Sequence, residues 1–198
     1  MASTASLTDR PAILGGDPAI TLSHDDACRW PIITAEDEDA VLRTLRSGHL
    51  GVSDETAALE ADFREWSGRQ YAVAHCNGTA AIFGAMHAFE LEAGDEVIVP
   101  SATWWSSVMP IMHFGGVPVF AELEGECLGL DPEDIERKIT DRTKAIVVVH
   151  LFGMPSKMDE IIEIAERYDL KILEDASHAH GATYKGRQIG TMTDAAVF

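Results

Sequence analysis

Lys171-Ile172-Leu173-Glu174-Asp175-Ala176-Ser177-His178-Ala179-His180-Gly181 sets a carboxylate and an imidazole three residues apart at the end of a short apolar run. Such a run, bounded by polar residues, reads as a buried strand, and open α/β sheets keep their chemistry outside the carboxyl ends of their strands. Upstream, residues 145–150 form a β-branched run of the kind buried on both faces of a parallel sheet. Short strands are also predicted at 71–74, 96–99 and 117–120. The segments between them carry helical spacing: 79–89, 105–114 with Pro110 kinking it or marking its start, and 131–139 with Pro132 in the first turn. A further helix is expected after a Ser156 cap, with Ile161, Ile162, Ile164 and Ala165 inward, and 184–190 reads as a turn with short flanking strands. Strand and helix alternating in this way predict an α/β fold with a mainly parallel sheet covered by helices.

Ahead of the alternation, Thr34 with Asp37 resembles a helix cap and its acidic third position, and Val41, Leu42 and Leu45 share one face up to Gly48. A second helix from about residue 54 carries Leu59, Phe63 and Trp66 and stops at Gly68. Residues 1–33 are rich in Thr, Ser, Gly, Pro and Asp and are expected to form an arm lying on another surface. At the other end the chain stops at Phe198 within the apolar run 195–198, so part of an active site is expected rather than a whole one.

The chain has 198 residues, 46% hydrophobic and 24% charged, enough for one globular domain with a sizeable core. Its 33 acidic and 15 basic residues leave a formal charge of −18, which opposes polyphosphate backbones and anionic membranes. No nucleic-acid partner is expected. No apolar run approaches the roughly 20 residues that span a bilayer, and the first 14 residues lack a secretory pattern, so the expected compartment is the cytoplasm. Cys28, Cys76 and Cys127 lack paired spacing, and His178-x-His180 lacks a third ligand; neither disulfide nor metal site is expected.

Three strand ends carry candidate chemistry. Asn77-Gly78-Thr79-Ala80 is a glycine turn into a helix, where the amides of Thr79 and Ala80 and the Thr79 hydroxyl could hold a phosphate. The same residues also suit a plain capping turn. Trp104 and Trp105 follow the next strand; Trp104 is the better platform for stacking on a planar heterocycle, and Trp105 is expected in the core. Asp175, beyond a buried-type strand, needs a cationic partner, and a pyridinium nitrogen would serve, with His178 touching the same ring from its side. As alternatives, Asp175 caps the next turn and His178 is a satisfied core group.

A phosphate holder, a flat face and an acid for a ring nitrogen together describe pyridoxal 5′-phosphate or its amine form, pyridoxamine 5′-phosphate. The chain resembles the N-terminal half of the DegT/DnrJ/StrS family of sugar aminotransferases, a branch of the fold-type I pyridoxal phosphate enzymes. The similarity runs from Leu14-Gly15-Gly16 and Trp30-Pro31 through Asn77-Gly78-Thr79-Ala80, Gly94-Asp95-Glu96-Val97-Ile98-Val99-Pro100, Thr103-Trp104 and His150-Leu151-Phe152-Gly153 to Glu174–Gly181 and Tyr184-Lys185-Gly186. The resemblance implies a seven-stranded type of sheet, with 1–33 as arm and 34–198 as an incomplete cofactor-binding large domain, the small C-terminal domain being absent. It further implies that Gly78, Thr79 and Ala80 surround the cofactor phosphate, Trp104 stacks on the ring, Asp175 pairs with its nitrogen and His178 lies near the ring hydroxyl.

The family's serine and the lysine that bonds the cofactor lie beyond Phe198. The five lysines present, Lys138, Lys144, Lys157, Lys171 and Lys185, fall on surface stretches, a turn or the far end of a strand. A split enzyme is therefore expected, a hetero-oligomer in which a C-terminal-half polypeptide supplies Ser and Lys. The assembly would move an amino group from an amino acid donor to a keto-sugar or keto-cyclitol in secondary-metabolite or sugar biosynthesis. The alternatives are a subunit of a pyridoxamine-phosphate-dependent sugar dehydratase, a non-catalytic stabilising subunit, and a truncated fragment.

Overall fold

The structure, a computed structural model, describes residues 10–23, 28–51 and 53–198. The chain divides into two compact units after Ser53. In the first, helix α1 (Ala35–Ser47) starts at the expected capping box: Thr34 Oγ1 accepts from the Asp37 amide while the Asp37 carboxylate accepts from the Thr34 amide at 2.8 Å. Gly48 ends it in a left-handed conformation that a side chain would resist. Val41, Leu42 and Leu45 lie on an exposed face of α1.

The second unit opens with α2 (Asp54–Ser67) and α3 (Gly78–Ala88). Then strands alternate with helices: β1 (Glu96–Pro100), α4 (Met109–His113), β2 (Val117–Ala121), α5 (Pro132–Lys138), β3 (Thr143–Val149), α6 (Met158–Tyr168) and β4 (Lys171–Asp175). A two-stranded hairpin, β5 (Thr183–Tyr184) and β6 (Arg187–Gln188), precedes β7 (Ala195–Val197). The main sheet is wholly parallel, in the order β2-β1-β3-β4-β7.

Because side chains alternate across a strand, each central strand feeds two cores. Ile98, Ile146, Val148 and Ile172 pack with Ile135 of α5 and with Met158 and Ile161 of α6. Val97, Val99, Val147 and Leu173 pack on the other face with Ile82 and Met86 of α3 and Ile111 of α4. The continuous β-branched runs are thereby explained: both faces are covered.

The sheet has five strands among the described residues, part of the seven-stranded type expected of an incomplete domain. Several local expectations need correcting. Residues 71–74 form no ladder, since among the described residues no strand lies beside them; Tyr71 and Val73 stay exposed and Ala74 N–H donates to Glu60 Oε1 at 2.9 Å. Pro110 sits in the first turn of α4 after a separate 3-10 turn, Trp105–Ser107, so it marks a start rather than a kink. Ser156 does not cap α6. It is buried, with its hydroxyl donating to the Val149 carbonyl at 3.3 Å and its amide to His150 Nδ1 at 3.1 Å.

Candidate active site

The candidate residues lie at the carboxyl ends of β1 and β4 and at the start of α3. Asp175 is the last residue of β4, on the face packed against α3, and is 6% exposed. Its Oδ2 accepts from Ser107 Oγ at 2.7 Å, and its Oδ1 accepts from the Ser177 hydroxyl at 2.7 Å and the Ser177 amide at 3.2 Å. Three donors compensate a buried carboxylate that would otherwise be costly. Ser177 also brings in the α3 turn: a Cβ built on Gly78 would stand 3.8 Å from Ser177 Oγ.

The 3-10 turn after β1 links the two ends of the site. Trp104 caps it, and its carbonyl accepts from the Ser107 amide at 3.0 Å. Ser106 Oγ accepts from Thr79 Oγ1 at 2.9 Å, while Ser107 reaches Asp175. Adjacent serines thus tie the helix start and the acid to one turn. Both serines are buried, whereas Trp104 is 67% and Trp105 56% exposed. The expected core position of Trp105 is therefore wrong. A three-residue turn has one inward side, and the two serines occupy it.

At the start of α3, Asn77 is the cap, its Oδ1 accepting from the Ala80 amide at 2.9 Å. The Ala80 amide, expected to be unpaired, is thus already paired. The amides of Gly78 and Thr79 precede the first helical hydrogen bond and remain the ones aimed outward. His178 is exposed; its Nδ1 accepts from the Phe152 amide at 3.3 Å and its ring stacks on Phe152 at 6.1 Å between centroids. That bond orients the imidazole and leaves Nε2 as the atom able to donate.

Sequence reasoning missed Ser106, Ser107 and Ser177. Only Ser177, two residues after Asp175, carries a sequence signal, the Asx-turn spacing. It also missed the face opposite Asp175, where the fully buried Glu174 accepts from Gly190 N–H at 2.8 Å and Thr193 Oγ1 at 2.7 Å and meets His150 Nε2 at 3.2 Å. The lysines stay elsewhere. Lys171, at the opposite end of β4, pairs with Asp194 at 2.9 Å, Lys185 with Asp159 at 2.7 Å, Lys157 with Glu124 at 3.1 Å and Lys138 with Asp134 at 3.0 Å. Among the described residues no three His, Cys, Asp or Glu side chains group to hold a metal, and no helix is long and apolar enough to cross a membrane.

The family model for DegT/DnrJ/EryC1/StrS aminotransferases matches residues 31–198. The chain belongs to that family. Among DegT/DnrJ/EryC1/StrS relatives, a Micromonospora echinospora protein assigned as an L-glutamine:3-amino-2,3-dideoxy-scyllo-inosose aminotransferase is 37% identical, over 96% of this chain and 46% of its own. A dTDP-3-amino-3,6-dideoxy-alpha-D-galactopyranose transaminase of Aneurinibacillus thermoaerophilus is 41% identical, over 82% and 45%. Among solved structures, an aminotransferase from Psychrobacter cryohalolentis superposes with a TM-score of 0.79 at 41% identity, covering 82% of this chain and 42% of that one. A Streptococcus pneumoniae protein described as a sugar aminotransferase, solved in its PLP form, gives 0.79 at 30%, covering 83% and 46%. The fold is thus that of the fold-type I PLP-dependent aminotransferases, and the chain spans under half the length of these relatives.

Proposed function

We propose that this chain forms the cofactor cradle of an aminotransferase that uses pyridoxal or pyridoxamine 5′-phosphate to pass nitrogen between an amino acid and a keto-sugar or keto-cyclitol. The buried, triply hydrogen-bonded Asp175 at a strand end carries the reading. A carboxylate fixed there, beside an exposed indole and a helix N-terminus, fits a flat cationic ring bearing a phosphate. Trp104 would offer the stacking face, the Gly78 and Thr79 amides would hold the phosphate, and His178 Nε2 would meet a ring substituent. When bound, the cofactor supplies the electron sink for moving the amino group. The substrate class follows the relatives, both of which are named for aminated sugars or cyclitols.

A bond-forming lysine is not among the roles these residues fill, because four of the chain's five lysines are ion-paired away from Asp175 and Lys144 stands near the start of β3, at the sheet end opposite Asp175. We propose that it is supplied, with a preceding serine, by a second polypeptide corresponding to the other half of the relatives. The test is co-expression with such a polypeptide, using 15N-labelled glutamine and a keto-cyclitol or nucleotide-linked keto-sugar as acceptor. Mass spectrometry should find the label in the acceptor, and Asp175→Ala should reduce transfer at least about a hundredfold, as for loss of a single preorganised electrostatic contact. Full transfer by Asp175→Ala would sink the ring-nitrogen role.

A further inference from the structure

Ser107 is fully buried, and the sequence alone gives it no role. Its single proton goes to Asp175 Oδ2 at 2.7 Å, so in the 3.1 Å contact between Thr103 Oγ1 and Ser107 Oγ the threonine must be the donor. A relay therefore runs Thr103 to Ser107 to Asp175. On the other side of the carboxylate, Oδ1 already accepts twice from Ser177, by its amide and by its hydroxyl.

A carboxylate has about four acceptor positions, two on each oxygen. Oδ1 is filled, and Oδ2 has one position left beside Ser107. A ring N–H arriving at Asp175 must take that place. We infer that Asp175 receives the ring nitrogen on Oδ2 and that Ser107 is the positioning residue that holds this oxygen in line. The inference rests on the cofactor reading above and deepens it by assigning the oxygen and its keeper. With Ser177 on one oxygen and Ser107 on the other, the carboxylate plane cannot rotate to follow a misplaced ring. Removing the Ser107 hydroxyl frees that rotation and takes from Thr103 Oγ1 the acceptor it has in the turn.

The experiment compares binding of pyridoxamine 5′-phosphate with its 1-deaza analogue, which has carbon in place of the ring nitrogen, to the full chain by calorimetry. The ratio of the two affinities isolates the nitrogen contact. Ser107→Ala should lower the ratio about tenfold, the scale of a hydrogen bond to a charged group. It should act on the parent ligand and leave the deaza analogue unchanged. Ser107→Thr should restore the ratio. Ser107→Cys, similar in volume but a weak donor, should fall between and serves also if the alanine variant does not fold. Ser106→Ala, in the same turn but bonded to Thr79, should leave the ratio alone. The inference is overturned if Ser107→Ala or Ser107→Cys weakens both ligands equally, or neither. If Asp175→Ala also leaves the ratio at its starting value, or the unmodified chain does not distinguish the two ligands, the cofactor reading has failed and not only the assignment of Ser107.

Discussion

Glu174 and Asp175 are consecutive on β4 and so point to opposite faces of the sheet. Asp175 looks toward the α3 turn, while Glu174 is sealed among His150, Gly190 and Thr193. Burial pushes the Glu174 carboxyl up, but the bonds from His150, Gly190 and Thr193 together outweigh it and hold it below its ordinary 4.5. His150 Nδ1 accepts from the Ser156 amide, so the ring proton lies on Nε2 and donates to Glu174. The depressed value fixes the sign: the stabilisation is present above pH ~4.5 and is lost as pH falls through the lower folded value. Glu174→Gln should cost about 1–3 kcal/mol at pH 7 by urea denaturation, the range for an impaired buried hydrogen-bond set. The loss should shrink at acid pH. A difference that stays constant from pH 7 to pH 3 would mean that Glu174 contributes by shape alone.

Among the elements, α5 shows how one carboxylate fastens a helix to a strand. Asp134 in its first turn accepts from the Glu122 amide at 2.7 Å, just past β2, and from Arg137 and Lys138 at 3.0 Å each. The Glu122 bond is the largest cause drawing the Asp134 carboxyl from 3.8 to about 2, with Lys138 and Arg137 adding. Its stabilisation is complete above pH ~4 and disappears as pH drops through about 2. Asp134→Ala should therefore lower stability by about 1–3 kcal/mol at pH 7 through the orphaned Glu122 amide. Unfolding midpoints of variant and parent should converge near pH 2, and parallel curves across that range would refute the linkage.

Elements of this kind were legible where periodicity or caps are local: Thr34 with Asp37, Pro132 at a first turn, and the β-branched run of β3 all read correctly. What failed depends on partners distant in sequence. Residues 71–74 have strand composition but, among the described residues, no neighbouring strand, and Ser156 is drawn into the core by His150 rather than left at a helix end. At the site, Asp175 was legible because it ends a buried run. Ser107 was not, because its 68-residue separation from Asp175 leaves no trace in spacing.

In the whole molecule, the second unit presents a surface its own residues do not cover. Strand β7 is hydrogen-bonded to β4 on one side and, among the described residues, to no strand on the other. Beside it Phe63, Trp66 and Phe198 form an aromatic cluster, with ring centroids 5.1 to 5.9 Å apart, and Phe63 and Trp66 line an open cleft with Leu59 and His180. Trp66 and Leu59 are exposed. An unpaired strand edge next to an apolar patch favours association. The 198-residue chain by itself should thus bind a hydrophobic dye and show concentration-dependent self-association in sedimentation. Leu59→Glu, at an exposed cleft residue outside the ring cluster, should reduce both without shifting the melting temperature by more than about 2 °C, since surface substitutions stay within about 0.5 kcal/mol. Adding the polypeptide proposed to carry the remaining half should replace the aggregates with one defined species and suppress the dye signal. If the chain alone is monomeric and does not bind the dye, this face is not an unmet interface and the proposed second polypeptide must join elsewhere.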